Sequence, residues 1–283
     1  MWMIRALGIL LVFVLLGFFS SSISLKTARY IFVDSRIEQP IKIVFLTDLH
    51  SRIFMSNNKR LIQKIADQKP DIIALVGDMI DDVSTEQDDQ DLVDLAAALM
   101  KIAPVYYSLG NDELTYVRKN GSSILDAVGA TGTTVLDETY QDIYVNGNQI
   151  RLGGLYTYAF RQDSTEDEWH RTSTYQFLSR FENTEFPTVL LCHRPESFIF
   201  NKTGLDWNID LVLTGHTHGG LIRLPLVGGL YAAGQGFFPK YDYGRFELEG
   251  MTMFITSGLS GYKNLPRLWN RPEIAVIQLK NGA

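Results

Sequence analysis

Four of the five histidines in this chain fall in three short motifs, Asp48-Leu49-His50, Cys192-His193-Arg194 and Gly215-His216-Thr217-His218. Between them stand Gly77-Asp78 and Gly110-Asn111-Asp112. Asp48 and His50 are two residues apart, as are His216 and His218, so on an extended strand each pair shares a face. In a turn just beyond a strand each pair can converge on one cation. Asp78 brings two oxygens able to bridge two metals, and Gly77 lets the backbone turn sharply in front of it. Asn111 offers a neutral amide oxygen, and His193, His216 and His218 offer imidazole nitrogens. A mixed nitrogen and oxygen set suits Mn, Fe, Zn or Ni better than calcium, which takes oxygen alone.

Each motif closes an apolar, strand-like run: Ile43–Leu46, Ile72–Val76, Val105–Leu109, Thr188–Leu191 and Ile209–Leu213. Carboxylates and imidazoles delivered from several strand ends to one rim make a multinuclear metal site. From Ile41 the pattern alternates strand and helix. Lys42–Thr47 reads as a strand, and Ser56 caps a helix running to about Gln68, with Leu61, Ile62 and Ile65 on one face. Pro70 stops it, and Asp71–Val76 is the next strand. Asp91–Ile102 reads as a helix and Pro104–Leu109 as a strand. The acidic stretch Asp81–Asp94 reads as a solvated loop and helix start, where carboxylates favour the N-terminal dipole. Thr133–Leu136, Tyr140–Val145 and Gln149–Leu155 read as strands, with Asn146-Gly147-Asn148 as a hairpin turn. Thr165–Phe181 is charged and helical and carries the remaining His170 on its surface. Strands resume at Thr188–His193, Ile209–Thr214, Met251–Thr256 and Glu273–Leu279. The pattern predicts an α/β fold, two mixed β-sheets packed as a sandwich flanked by helices. Residues 41–283 form its catalytic domain, with 26–40 as a connector that can pair at a sheet edge.

The chain has 283 residues, 46% hydrophobic, and a net charge of -6. It shows no run of Lys or Arg beyond a pair, which makes a nucleic-acid partner unlikely. Lone Cys192 cannot form an intramolecular disulfide and reads as a small core residue. From Ala6 to Leu25 there is no charge. About 20 residues at 1.5 Å each span roughly 30 Å, the thickness of a bilayer core. Residues 1–25 therefore read as a transmembrane anchor. The rival reading is a cleavable signal segment, for which Ser20–Ser22 and Ser24 supply small residues. An N-terminus held in the cytoplasm is the commoner outcome for such an anchor, and it places the catalytic domain outside the cytoplasm.

The ordered set of Asp-x-His, Gly-Asp-x-x-Asp, Gly-Asn, a strand-end His and Gly-His-x-His resembles the calcineurin-like metallophosphoesterase superfamily, over nearly everything from Ile41 to Leu279. More narrowly, His193-Arg194-Pro195-Glu196, Gly215–Gly220, Gly234–Lys240 and Asn270-Arg271-Pro272-Glu273 resemble a membrane-associated bacterial YkuE-like branch. That branch includes phosphodiesterases and UDP-diacylglucosamine pyrophosphohydrolases. The resemblance implies two divalent metal ions. Asp48, His50, Asp78 and His218 hold one, and Asp78, Asn111, His193 and His216 hold the other, with Asp78 bridging. Two such cations polarise a phosphoryl oxygen and lower the pKa of a water between them, and hydroxide then attacks phosphorus in line with the leaving oxygen. Arg194 is a candidate phosphate contact, with a surface salt bridge as the alternative. Asp81 is expected to orient the site and not to bind metal.

The family pattern has His after the asparagine, and here that position is Asp112, followed by Glu113. An ionised carboxylate cannot protonate a leaving group. Three consequences compete: a substrate with a good leaving group, such as a pyrophosphate; an acid from elsewhere; or a membrane-tethered ligand-binding pseudoenzyme with intact metal ligands. Leu221–Phe246, rich in Gly and aromatics, is read either as a lip that meets lipid or a lipid-linked headgroup, or as hairpins packed on the core. A membrane-borne phosphate ester or pyrophosphate is the expected substrate.

Overall fold

The computed structural model describes residues 2–54, 57–156, 165–200, 202–261, 265 and 267–282. Helix α1 (Trp2–Ile23) is followed by β1 (Lys26–Val33), β2 (Ile41–Leu46), α2 (Lys59–Ala66), β3 (Ile72–Val76) and α3 (Glu86–Met100). Then come β4 (Val105–Ser108), α4 (Asn111–Asn120), α5 (Ser123–Ala130), β5 (Thr134–Leu136), β6 (Thr139–Val145) and β7 (Asn148–Leu155). After α6 (Glu166–His170) and α7 (Ser173–Phe181) the chain forms β8 (Thr188–Cys192), α8 (Glu196–Ile199) and β9 (Leu211–Thr214). Two short hairpins, β10 (Arg223–Leu224) with β11 (Gly228–Gly229) and β12 (Tyr231–Ala232) with β13 (Gly236–Phe237), precede β14 (Gly244–Leu248), β15 (Met251–Ile255) and β16 (Glu273–Lys280).

The long strands form two six-stranded sheets, in the orders β1-β16-β2-β3-β4-β5 and β14-β15-β9-β8-β7-β6. Both are mixed. β2, β3, β4 and β5 run parallel, as do β7, β8, β9 and β15, while antiparallel pairs join β16 to β2, β14 to β15 and β6 to β7. Ile43, Phe45, Ala74 and Val76 of the first sheet pack on Leu152, Leu191, Leu213 and Phe254 of the second. Alternate residues point the other way. Val44, Leu46, Ile73 and Leu75 meet α2, α3 and α5, and Leu190, Val212, Met253 and Ile255 meet α7 and α8. Strands buried on both faces read as continuous apolar runs, so the sandwich flanked by helices follows from the runs themselves.

Residues 26–33 of the connector pair at the sheet edge, parallel to β16. Several other boundaries differ from the reading of the sequence. Ser56 lies outside the described residues, and α2 starts after Asn58, whose left-handed backbone makes no side-chain cap. α3 begins earlier than expected, because Thr85 accepts the Asp88 N–H and Asp88 returns the bond to Thr85 N–H, a capping box. The β6–β7 turn is Asn146-Gly147 alone, both at positive φ, and Asn148 is paired with Val145. Thr165–Phe181 is two helices, the second capped by Thr172. Cys192 is buried, which pushes its thiol up to about 12.

Candidate metal centre

The parallel strands β2, β3 and β4 of one sheet and β8 and β9 of the other end on one side of the sandwich, and the residues just beyond them meet there. Asp48 and His50 follow β2, Asp78 follows β3, Asn111 follows β4, His193 follows β8, and His216 and His218 follow β9. Among the described residues three groups of possible ligand atoms each lie within 4.8 Å of one another: Asp48, His50 and His218; Asp78, His193 and His216; and, less buried, His50 with Asp81 and Asp112. Asp78 stands between the first two groups, its Oδ2 3.1 Å from His193 Nε2 and 4.0 Å from His50 Nε2. Asp48 Oδ1 lies 3.6 Å from His218 Nε2 and 3.8 Å from His193 Nε2.

The backbone at these ligands is unusual. Asp48, His50, Asp78, His216 and His218 all adopt positive φ, between 48° and 65°. A non-glycine residue in that region costs on the order of 1 kcal/mol or more, and persists where neighbours over-determine it. Gly77 and Gly215 make room for the turns. A Cβ on Gly77 would stand 2.7 Å from both Gly110 Cα and His193 Cβ, and one on Gly215 would overlap Thr47 Oγ1. The bond from Thr47 Oγ1 to Asp48 Oδ2, at 2.6 Å, fixes the Asp48 carboxylate, and Asp48 in turn accepts the His216 N–H.

Other carboxylates orient the set. His50 Nδ1 lies 2.9 Å from Asp81 Oδ1 and 3.2 Å from Asp112 Oδ2. A carboxylate on the distal nitrogen fixes a ligating imidazole's tautomer and raises its basicity. His193 Nδ1 donates to the Val76 carbonyl at 2.8 Å, and His218 Nδ1 to the Ser260 carbonyl at 3.2 Å. Burial alone would lower the His50 pKa, but the bonds to Asp112 and Asp81 and the charges of Asp78 and Asp48 raise it well above the ordinary value. His193 is likewise pushed up to about 9, because the Asp78 carboxylate outweighs burial. Burial takes His218 down to about 4, and burial with the charge of His193 takes His216 well below the ordinary value. Asp78 is buried, which works against ionisation, yet the surrounding imidazoles hold its pKa below the usual carboxylate range.

Four atoms of the set, His50 Nε2, His193 Nε2, His216 Nε2 and Asn111 Oδ1, are buried with no well-formed hydrogen bond, His193 Nε2 alone standing within 3.1 Å of a carboxylate oxygen, that of Asp78. Leaving a buried polar atom unsatisfied costs about 1–3 kcal/mol, so four converging beside two carboxylates fit a donor set built for cations. Their chemistry, imidazole nitrogen with carboxylate and amide oxygen, fits divalent transition metals.

Asn111 opens α4, and its Nδ2 donates to Asp112 Oδ1 at 2.8 Å, leaving Oδ1 for the site. The Asp112 N–H donates to Asp78 Oδ1. Arg194 lies in the site wall, its Nε 3.5 Å from Oε2 of the buried Glu196, whose Oε1 is 3.5 Å from His216 Nε2. His170 is exposed beside Tyr175 and away from the centre.

Two supporting features escaped the sequence reading. Glu113 is fully buried and accepts from the N–H groups of Asp78, Met79, Ile80 and Gly110 and from the Tyr107 hydroxyl. It holds the Asp78 turn against the start of α4. Its signal was local, an acidic residue at the third helical position after a glycine. Arg267, also buried, donates to the carbonyls of Ser257, Gly258, Ser260 and Asn270, and so positions the Ser260 carbonyl that holds His218. Asn270 donates to the carbonyls of His218 and Leu221. Asn270 stands in the motif Asn270–Glu273 noted in the sequence, without a role there, whereas no local pattern announces Arg267; only the fold brings the two to His218.

Residues 41–220 match the family described as calcineurin-like phosphoesterase. The uncharacterized metallophosphoesterase YkuE of Bacillus subtilis (strain 168) is 30% identical over 245 residues, covering 85% of this chain and 79% of YkuE. The phosphodiesterase YaeI of Escherichia coli (strain K12) is 30% identical over 243 residues, covering 85% of this chain and 82% of YaeI. Among solved structures, a Plasmodium protein described as GAP50, the anchor in the inner membrane complex, shares the fold at a TM-score of 0.53 and 14% identity, over 84% of this chain and 81% of that one. The family match spans most of the chain, and relatives 30% identical cover more than four fifths of it: this chain belongs to the calcineurin-like phosphoesterase family of metal-dependent phosphoester hydrolases.

Proposed function

We propose that this protein is a membrane-anchored phosphoesterase that holds two divalent cations and hydrolyses a phosphodiester or pyrophosphate bond of a lipid or lipid-linked substrate. The observation that supports it most directly is the position of Asp78 between two three-residue ligand groups, with orphaned imidazole and amide atoms around it. Asp48, His50, Asp78 and His218 would hold one cation, and Asp78, Asn111, His193 and His216 the other. Bound there, the cations supply Lewis acidity toward a phosphoryl oxygen and lower the pKa of a water.

The chain's own residues set the rest. Asp81 and Asp112 share the His50 Nδ1 proton and so aim Nε2 at the site. Asp112 acts here as an orienting carboxylate, not as a proton donor. Arg194, held by Glu196 beside His216, is positioned to meet a phosphate oxygen. With no imidazole after Asn111, substrates whose leaving group needs little protonation are favoured, which points to pyrophosphates and activated diesters. The α1 window Ile4–Ser21 is strongly apolar on average, with Arg5 its one charged residue, and is long enough to enter a bilayer, which supports the anchor.

The test is hydrolysis by the full chain in detergent with added manganese, comparing bis-p-nitrophenyl phosphate, p-nitrophenyl phosphate and UDP-diacylglucosamine, with Asp78→Asn as control. Metal-dependent turnover of the diester or the pyrophosphate, lost in the control, is the expected result. Binding of two metals with no turnover of any substrate would favour the pseudoenzyme that Asp112 raises.

A further inference from the structure

Helix α1 does not stand off from the rest of the protein. One stripe of it is docked on the loop that follows Arg267. The Phe13 ring lies 4.9 Å from the Trp269 indole, the Gly17 carbonyl accepts the Trp269 N–H at 3.3 Å, and the buried Ser21 Oγ accepts the Asn270 N–H at 3.0 Å. A Cβ on Gly17 would overlap Trp269, so helix and loop lie flush, as small residues allow between membrane-embedded segments. On its other faces α1 leaves Leu7, Leu11, Leu15 and Phe18 exposed.

The same loop carries a second apolar feature. Leu268 pairs with Ile222, and its carbonyl accepts the Arg223 N–H at 2.9 Å, so the β10–β11 hairpin hangs beside α1. Leu226 at its tip is fully exposed, and Val227 follows it. The Phe238 N–H donates to Leu230, tying the β12–β13 hairpin alongside, where Phe237 and Phe238 are 72% and 64% exposed. Leu265, two residues before Arg267, is also exposed. Large apolar side chains gathered on adjoining hairpins mark a surface of association.

Depth identifies the occupant. The apolar window of α1 ends at Ser21. Gly17 and Phe13 lie four and eight residues inside it, about 6 Å and about 12 Å along the helix. Contact with both carries Trp269 past the end of that window, so the loop that holds it reaches into the boundary layer beside α1. The hairpins attached to Leu268 are held close to that level. We propose that Leu226, Val227, Phe237, Phe238 and Leu265 form a rim inserted into the headgroup–acyl boundary of the leaflet that α1 enters, with the bilayer itself as the partner. This rests on the reading of α1 as an uncleaved membrane span.

The rim borders the metal centre. Gly220 and Gly229 are in backbone contact, and Thr217 Oγ1 donates to the Asp242 carbonyl while the Asp242 carboxylate accepts the Gly229 N–H. Gly234 abuts Glu196, which faces His216. The wall carrying His216 and His218 is thus continuous with the rim, and seating the rim holds the site beside the lipid headgroups. The substrate class this selects is a phosphate ester or pyrophosphate displayed at a membrane surface.

The test uses the full chain with Leu226→Cys, Phe238→Cys, Leu11→Cys or Tyr144→Cys, each labelled with an environment-sensitive dye. Each is reconstituted into vesicles of phosphatidylcholine and phosphatidylglycerol doped with nitroxide lipids. Cys192 is buried and keeps background labelling low. The expected result is loss of most emission at Leu226 and Phe238 with the nitroxide near the carbonyl group, at Leu11 with the nitroxide deep in the chain, and at Tyr144 with neither. Quenching at Leu11 with Leu226 and Phe238 behaving like Tyr144 would overturn the rim and leave the anchor standing. No quenching at Leu11 would overturn the anchor, and the rim with it.

Discussion

Asp112 follows the asparagine ligand, and its carboxylate lies against His50 Nδ1 with Asp81 as its companion. Burial raises its pKa, while the bond to His50 pulls the other way. On the proposed reading, a residue engaged in this way would orient His50 and leave the leaving group unassisted. Asp112→His should therefore raise turnover most for poor leaving groups, by about 10²-fold at best, and little for p-nitrophenolate. A series of diesters of graded leaving-group pKa reads this as a shallower slope, and an equal effect across the series would contradict it. His193 sets a second expectation. Its pKa of about 9 lies above the ordinary 6.5, so its contribution to the stability of the metal-free protein is complete below pH 6.5 and is lost as pH rises through 9. Metal needs the neutral Nε2, so proton and metal compete. Metal affinity should climb between pH 6.5 and 9, by about tenfold per unit for one displaced proton. Calorimetry in buffers of different ionisation heat would show the released proton, and a flat affinity would contradict it.

At the scale of elements, the turns after the strands carry the strain and Glu113 restrains it. Its carboxylate receives five donors, from Tyr107 on β4, from Gly110 just before α4 and from the turn after β3. Glu113→Ala orphans them all and should destabilise the fold by about 4 kcal/mol, at the large end for one substitution. Chemical denaturation measures that, and a loss below about 1 kcal/mol would show that the turn holds itself. The strands that deliver the ligands were legible because each is a short apolar run ended by a polar motif. α4 was not, because its buried residues are Glu113 and Tyr116 and it has no apolar stripe to show a helical period. The break between α6 and α7 was hidden by a continuous charged stretch, although Thr172 marks it as a cap. Asp48, His50, Asp78, His193, His216 and His218 could be picked out from spacing, whereas Arg267 and Asn270 act on His218 across about fifty residues of chain. α1 could be read as apolar, but its docking through Gly17 and Ser21 could not, since a single glycine and serine in such a helix have no distinctive pattern.

For the molecule as a whole, two sheets and a helix converge on one buried donor set. That convergence makes cation binding a stability term as well as a catalytic one. A ligand present at about a hundred times its dissociation constant stabilises a fold by about 2.7 kcal/mol. Chelation of the purified protein should lower its melting temperature by several degrees, and manganese should restore it. The same treatment of Asp78→Asn should give a much smaller shift, since the Asp78 carboxylate lies beside imidazoles of both groups. The decisive measurement is a manganese titration of the chelated full chain, following bound metal and hydrolysis of bis-p-nitrophenyl phosphate together. The expected result is two ions per chain, turnover that appears as the second binds, and loss of both features in Asp78→Asn. Hydrolysis that survives chelation or Asp78→Asn, or binding that stops at a single ion in the fully active protein, would contradict it.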